Sequence, residues 1–220
     1  RREDPYRVVE LADGREVRSY AVLLATGLAV NTLDAPGIER LLGAGVYYGA
    51  ATTEAATYRD RDVCIVGGAN SAGQGAVFFA RTARRVTMLI RSTGLETSMS
   101  QYLIDRIAAL PNITVVPRVE VREARGRDHL EEIVVRHRDS GEESVMACAA
   151  LFIFVGAAPR TASFAGFVER DDRGFIVTGP DLPRNGSRPR GWNLDRDPYL
   201  FETSVPGVFA AGDVRAGANR

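Results

Sequence analysis

The segment that most constrains this chain is Asp62-Val63-Cys64-Ile65-Val66 running straight into Gly67-Gly68-Ala69-Asn70-Ser71-Ala72-Gly73. A short apolar run ending in a Gly-rich turn reads as a parallel strand, buried on both faces, that delivers the chain to a helix. The Ala- and Phe-rich stretch from Gln74 to Arg81 is the expected helix. Arg85 to Ile90 reads as a second buried strand and Ile113 to Val116 as a third. Between them, Met99 to Leu110 places Leu103, Ile107 and Leu110 on one helical face. Strand, helix, strand, helix, strand is the pattern of a doubly wound parallel α/β unit.

The turn itself carries chemistry. A dinucleotide requires a tight turn off the strand, a small residue where backbone approaches pyrophosphate, and a small residue where helix meets sheet. Gly67, Ala69 and Ala72 occupy those places, with Gly68 beside them. Ala69 stands where the motif has glycine, so the match is imperfect. Free N–H groups at the helix start then favour phosphate. Asn70 and Ser71 are placed either to cap the helix or to touch phosphate. At the end of the second strand an NAD site carries an acid for the ribose hydroxyls. This chain has Arg91-Ser92 there and no acid between Asp62 and Glu96. A guanidinium at that place suits the 2′-phosphate of NADP, so NADPH is the expected nucleotide.

The flanking segments are β-rich. Tyr6 to Leu11 and Arg15 to Tyr20 surround an Asp13-Gly14 turn, and Ala21 to Gly27 reads as a strand buried on both faces. Pro36-Gly37 marks a linker. An antiparallel excursion is expected over Val119 to Ala124, Leu130 to His137 and Ser144 to Ala147, with a turn at Asp139 to Glu142. Ala149 to Val155 restores a buried strand stopped at Gly156, and Gly207 to Asp213 reads as the last strand. The 184–198 loop, with Trp192 among arginines, has no role readable from sequence.

Composition removes several function classes. The 28 basic residues balance 28 acidic ones, which argues against a nucleic-acid or anionic-membrane partner. Every basic residue is arginine, so lysine Schiff-base chemistry is excluded. Two histidines and the two cysteines Cys64 and Cys148 supply neither a metal site nor a disulfide scaffold, and both cysteines read as buried and structural. No apolar run is long enough to span a bilayer, and a cytoplasmic setting is the expectation. The opening Arg1-Arg2-Glu3-Asp4-Pro5 lacks Met and reads as the middle of a longer chain.

Three fragments join the Gly turn in a telling order: Ala25-Thr26-Gly27, then Gly156-Ala157-Ala158-Pro159-Arg160-Thr161, then Gly207-Val208-Phe209-Ala210-Ala211-Gly212-Asp213. With the turn, this order closely resembles the thioredoxin reductase-like branch of the flavoprotein pyridine nucleotide–disulfide oxidoreductases, across essentially the whole chain. The resemblance implies a three-layer ββα, Rossmann-like NADPH-binding domain inserted into an FAD-binding domain. Residues 1–33 would end the first half of the FAD domain, 34–155 would be the inserted domain, and 156–220 would begin the second half, without its final helix. It implies that Gly212 and Asp213 contact FAD, the carboxylate taking a ribityl hydroxyl, and that Arg91 is the first of the family's arginines for the 2′-phosphate. Ser92 and Glu96 stand where other family arginines usually sit. A homodimer is implied for the full-length protein.

One departure concerns the redox centre. Where family reductases carry Cys-x-x-Cys-Asp, this chain has Gly49, Thr52 and Thr53. A dithiol relay needs two thiols, and neither hydrogen nor hydroxyl substitutes. The resemblance therefore narrows to a cysteine-less branch, often fused to a cyclic-nucleotide-binding domain. The expected function is hydride transfer from NADPH to FAD and then to an unidentified small-molecule or protein acceptor. No residue of this chain is expected to be catalytic, and the isolated fragment is expected to be inactive. The alternative is a non-catalytic NADP(H)-sensing module that regulates an attached domain.

Overall fold

The structure, a computed structural model, describes residues 1–49, 52–186 and 188–218. The chain divides into two compact units, Thr32–Gly156 and Arg1–Asn31 with Ala157–Arg220.

In the unit Thr32–Gly156, five parallel strands pair in the order Val46–Tyr48, Ala150–Ile153, Asp62–Val66, Arg85–Leu89, Ile113–Val116. Successive side chains along a strand point to opposite faces, so an unbroken apolar run gives the sheet two apolar faces. Val63, Ile65, Val86, Met88, Ala150 and Phe152 pack under the helices Asn70–Phe79 and Gln101–Ala108. Cys64, Val66, Leu89, Leu151 and Ile153 face the other way. There they meet Val119, Val121, Ile133 and Val135 of a three-stranded antiparallel sheet, Val119–Arg125, Glu132–His137 and Glu143–Ala147. The result is three layers: helices, parallel sheet, antiparallel sheet. Phe152 anchors the helical side, its ring 4.0 Å from Phe79 and 5.4 Å from Tyr47. Each such aromatic pair adds about 0.5–1.5 kcal/mol beyond area burial.

Two helix boundaries differ from the sequence reading. The first helix starts at Asn70, not Gln74, because Ala69 is already the extended N-cap residue. The second spans Gln101–Ala108, with Ser100 at its N-cap and Met99 left outside, buried. The stretch expected at the redox-centre position contains strand Val46–Tyr48, Gly49 at φ +85° and helix Thr52–Thr57. Ala50 and Ala51 lie outside the described residues.

The other unit is built from smaller pieces. Arg2–Glu3, Tyr6–Glu10 and Glu16–Ser19 form an antiparallel sheet. Val22–Leu24 runs parallel to Val208–Ala210, and Leu28–Val30 pairs antiparallel with Ala157–Pro159. Leu24, Val168, Ile176, Val208, Ala210 and Val214 make its core. Here the sequence reading needs correction. The run Ala21 to Gly27 is not buried on both faces: its strand is Val22–Leu24, and Leu23 is 61% exposed. With one strand partner among the described residues, only its inward face meets packed side chains. The last strand ends at Ala210, and Gly212–Val214 forms a 3₁₀ turn.

The 184–198 loop acquires a physical account. Arg196 binds the fully buried Glu202 through two contacts of 2.7 and 2.9 Å. Its guanidinium lies 4.2 Å from the Tyr199 ring centre and 5.4 Å from that of Trp192. Trp192, nearly buried, donates Nε1–H to the Arg196 carbonyl at 2.6 Å. Trp192 and Arg196 are thus folded over a buried carboxylate.

Candidate functional site

At the C-terminal ends of the parallel strands lies a cleft of about 290 Å³, lined by Gly67, Gly68, Ala69, Arg91, Ser92 and Gly156 among others. Open α/β sheets bind ligands at this edge. A larger cleft, about 540 Å³, sits at the opposite edge beside Asp62, Arg84, His129 and Cys148. There Asp62 accepts two hydrogen bonds from Arg84, both 2.8 Å, which hold its carboxyl below the usual range. The cleft's Arg84 is thereby compensated, and its described residues include no glycine-rich turn or helix start. The smaller cleft is the candidate site.

Backbone geometry makes the cleft. Gly67 has φ +134°, and a Cβ there would stand 2.5 Å from the Phe154 carbonyl oxygen and 3.2 Å from Ala72 Cβ. Only glycine lets the strand turn this tightly beneath the helix start. Ala72, fully buried, is the small residue where helix meets strand. The helix ladder opens with Gly73 N–H donating to Ala69 O at 3.1 Å. The N–H groups before Gly73 therefore have no intrahelical carbonyl and lie at the positive end of the helix dipole. No acidic residue occupies the first turn.

Side chains fix the rim. Ser98 Oγ donates to the Gly68 carbonyl at 2.9 Å, and Ser92 Oγ donates to the Gly94 carbonyl at 2.7 Å. Asn70 does not cap the helix: its Oδ1 accepts the Ser100 N–H at 2.8 Å, so it ties the two helix starts together. Ser71 lies beside it in the first turn and likewise supplies no cap. Arg91 is exposed at the mouth. Gly212 and Asp213 belong to the other unit, in the turn after strand Val208–Ala210, with Gly212 at φ +73°. Sequence reasoning missed Ser98 and Ser100, which sit one element away from the motif. It also missed Gly73 and Gly75, where an added Cβ would meet Met99 at 2.7 Å and the Phe154 ring at 2.9 Å. Gly75, inside the expected helix, was the available signal for this close packing, whereas Gly73 falls in the expected turn.

The other sequence candidates lie elsewhere. Tyr47 packs on Phe152 and its hydroxyl meets that of Tyr58 at 2.9 Å, while Tyr48 accepts the Leu33 N–H through its hydroxyl. Cys64 and Cys148 are free and buried. Cys148 beside it, and then burial, push the Cys64 thiol up, which keeps it protonated and unreactive near neutral pH. Among the described residues no group of three His, Cys, Asp or Glu residues could hold a metal ion, and no helix is long and apolar enough to cross a membrane.

Comparison with known proteins gives these features a context. The family model described as "Pyridine nucleotide-disulphide oxidoreductase" matches residues 3–220. A thioredoxin reductase of Mycolicibacterium smegmatis is 34% identical over 213 residues, 96% of this chain and 61% of that protein. An NADH dehydrogenase of Bacillus subtilis is 30% identical over 205 residues, 93% of this chain and 36% of its own length. The crystal structure of T. acidophilum thioredoxin reductase superposes with a TM-score of 0.72 at 26% identity, covering 92% of this chain and 60% of that one. The chain thus spans between 36% and 61% of these relatives' lengths.

Proposed function

The chain belongs to the pyridine nucleotide-disulphide oxidoreductase family, and from that premise we propose that its unit Thr32–Gly156 binds NADPH for delivery of hydride to FAD in the full-length protein. The unit formed by residues 1–31 and 157–220 is then part of the FAD-binding domain. The observation that carries this reading is the cleft itself. A glycine-tight turn and an arginine without an ion-pair partner among the described residues line one space, and the helix whose first N–H groups have no intrahelical carbonyl starts directly after its Ala69.

In this reading each residue has a task. Gly67, Gly68 and Ala69 let the backbone approach the pyrophosphate, and the N–H groups of the first turn, at Asn70, Ser71 and Ala72, donate to its oxygens. Arg91 pairs with the 2′-phosphate beside Ser92; the strand end itself carries no acid to favour NAD, and the Glu96 carboxylate lies against Gly94 in the loop beyond. Gly156 leaves the nicotinamide side of the cleft open. Gly212 and Asp213 meet FAD, the carboxylate accepting from a ribityl hydroxyl. When bound, the two cofactors would supply the hydride-transfer chemistry, and this chain's residues would hold and orient them. With Gly49 and Thr52 at the redox-centre positions, the acceptor beyond flavin is a protein or small molecule that needs no dithiol of this chain.

Titrating the full-length protein with NADPH and with NADH, followed at the flavin absorbance, tests this. Tighter binding of NADPH, lost in Arg91→Gln, is the expected result; equal affinities overturn the NADPH assignment. Turnover with ferricyanide supports the oxidoreductase. Nucleotide binding without flavin reduction instead supports the sensing module.

A further inference from the structure

Strand Ile113–Val116 leaves the parallel sheet beside Arg85–Leu89, and the chain reverses at Arg118, which adopts φ +58°. That left-handed residue lays one end of the antiparallel sheet against the rim of the nucleotide cleft. Val119 N–H donates to Ile90 O and Arg118 N–H to Ser92 O, each at 3.0 Å, while Arg138 N–H donates to Arg118 O at 2.7 Å. Arg138 then extends Nη1 to the Arg91 carbonyl at 3.1 Å. The Ile90–Ser92 rim and the chain just after strand Glu132–His137 are therefore one hydrogen-bonded piece.

Charge pairing separates Arg138 from its neighbours. Arg118 is paired with Asp139. Arg122 and Arg136 share Glu120, and Arg125 meets Glu123 and Glu132. Among the described residues, neither Arg91 nor Arg138 has a carboxylate within ion-pairing distance, although Asp139, bound to Arg118, lies near enough to feel the Arg138 charge. Two exposed arginines thus stand on one rim with no carboxylate bridging them. One bond to a carbonyl uses one of the five N–H donors of Arg138, and the others remain for an anion.

Resting on the NADPH reading above, we propose that Arg138 is a second specificity-determining residue, its guanidinium gripping the 2′-phosphate together with that of Arg91. It supplies from the antiparallel sheet the charge that Ser92 and Glu96 do not supply from the rim loop. A phosphate monoester dianion accepts several charged donors at once, and the planar guanidinium fork matches it. NADH, lacking that phosphate, gains nothing from Arg138.

The experiment measures Kd for NADPH and NADH on the full-length protein carrying Arg138→Gln, Arg91→Gln, both together, or Arg138→Lys. Arg138→Gln should weaken NADPH about tenfold and NADH less than about twofold, with a further loss for NADPH in the Arg91→Gln background. Arg138→Lys, which keeps the charge, should recover much of the NADPH affinity. Equal weakening of both nucleotides would make Arg138 only a brace for the rim and overturn the inference. So would an unchanged NADPH affinity in Arg138→Gln while Arg91→Gln remains selective. If Arg91→Gln is also unselective, the NADPH reading falls and this inference falls with it.

Discussion

The two units solve the same problem with different means. Unit Thr32–Gly156 covers both faces of a five-stranded parallel sheet and fills two apolar cores. The unit of residues 1–31 and 157–220 has strands paired in threes and twos, one small core, and apolar strand residues such as Leu23 and Val30 facing outward. In the first, packing specifies the fold and backbone geometry specifies the site. In the second, an ion pair with a buried carboxylate and loop contacts carry a larger share of the specification. Mutations should therefore act differently in the two: through close backbone approach in one, through polar satisfaction in the other.

The largest effect is expected at Gly67. Valine there needs a left-handed φ that a β-branched residue resists, and its Cβ collides with the backbone at Phe154 rather than with a movable side chain. The cost is about 3–5 kcal/mol, with NADPH binding lost. Calorimetric melting of Gly67→Val in the full-length protein checks it. A melting temperature within about 2 °C of the parent would remove the argument that backbone proximity governs this unit.

Glu202 tests the other unit. Burial pushes its carboxyl up, but the Arg196 side chain and the N–H groups of Gly207 and Tyr199 outweigh burial and leave it below its ordinary 4.5. Glu202→Ala strands part of Arg196 and two backbone donors. Because the Arg196 side chain is 35% exposed and reaches water, the lower end applies, about 3 kcal/mol. The sign of the pH effect follows from the depressed folded value. This contribution is fully present above about pH 4.5 and is lost as pH falls through the folded pKa. Hydrogen exchange should show the variant's loosening in residues 157–218 and leave 32–156 protected. Uniform loosening would mean that the two units do not differ as described.

The same contrast explains what could be read from sequence. Parallel strands buried on both faces announce themselves as apolar runs, so Asp62–Val66, Arg85–Leu89 and Ala150–Ile153 were legible, as was the antiparallel layer with its turn near Asp139. The cleft was legible in part: Gly67, Arg91 and Gly156 come from three segments and line one space. Ala21 to Gly27 misled because an apolar run does not state how many strands or layers surround it. Asn70 misled because its side-chain partner, Ser100, is 30 residues away. The Trp192–Arg196–Glu202 cluster was illegible because cation–π contacts and a buried carboxylate leave no periodic trace.

Gly68 is the finest test of how the nucleotide unit works, since folding and binding make separable demands on it. Its φ lies outside the left-handed region, and an added Cβ would stand 3.4 Å from Ile90 Cγ2, 3.6 Å from Ile90 Cβ and 3.8 Å from Ser92 Oγ, close to ordinary van der Waals contact. Folding therefore tolerates alanine, and restricting the unfolded chain offsets part of any residual crowding, so stability should change by less than about 1 kcal/mol. Binding is another matter, because the methyl group sits at the cleft surface where, in the proposed reading, the pyrophosphate approaches the backbone. Gly68→Ala in the full-length protein should melt within a few degrees of the parent and bind NADPH and NADH about tenfold more weakly, by the same factor for both, because the pyrophosphate is common to them. Selective loss of NADPH would move the 2′-phosphate toward Gly68 and away from Arg91. Unchanged binding would place the pyrophosphate elsewhere along the helix start.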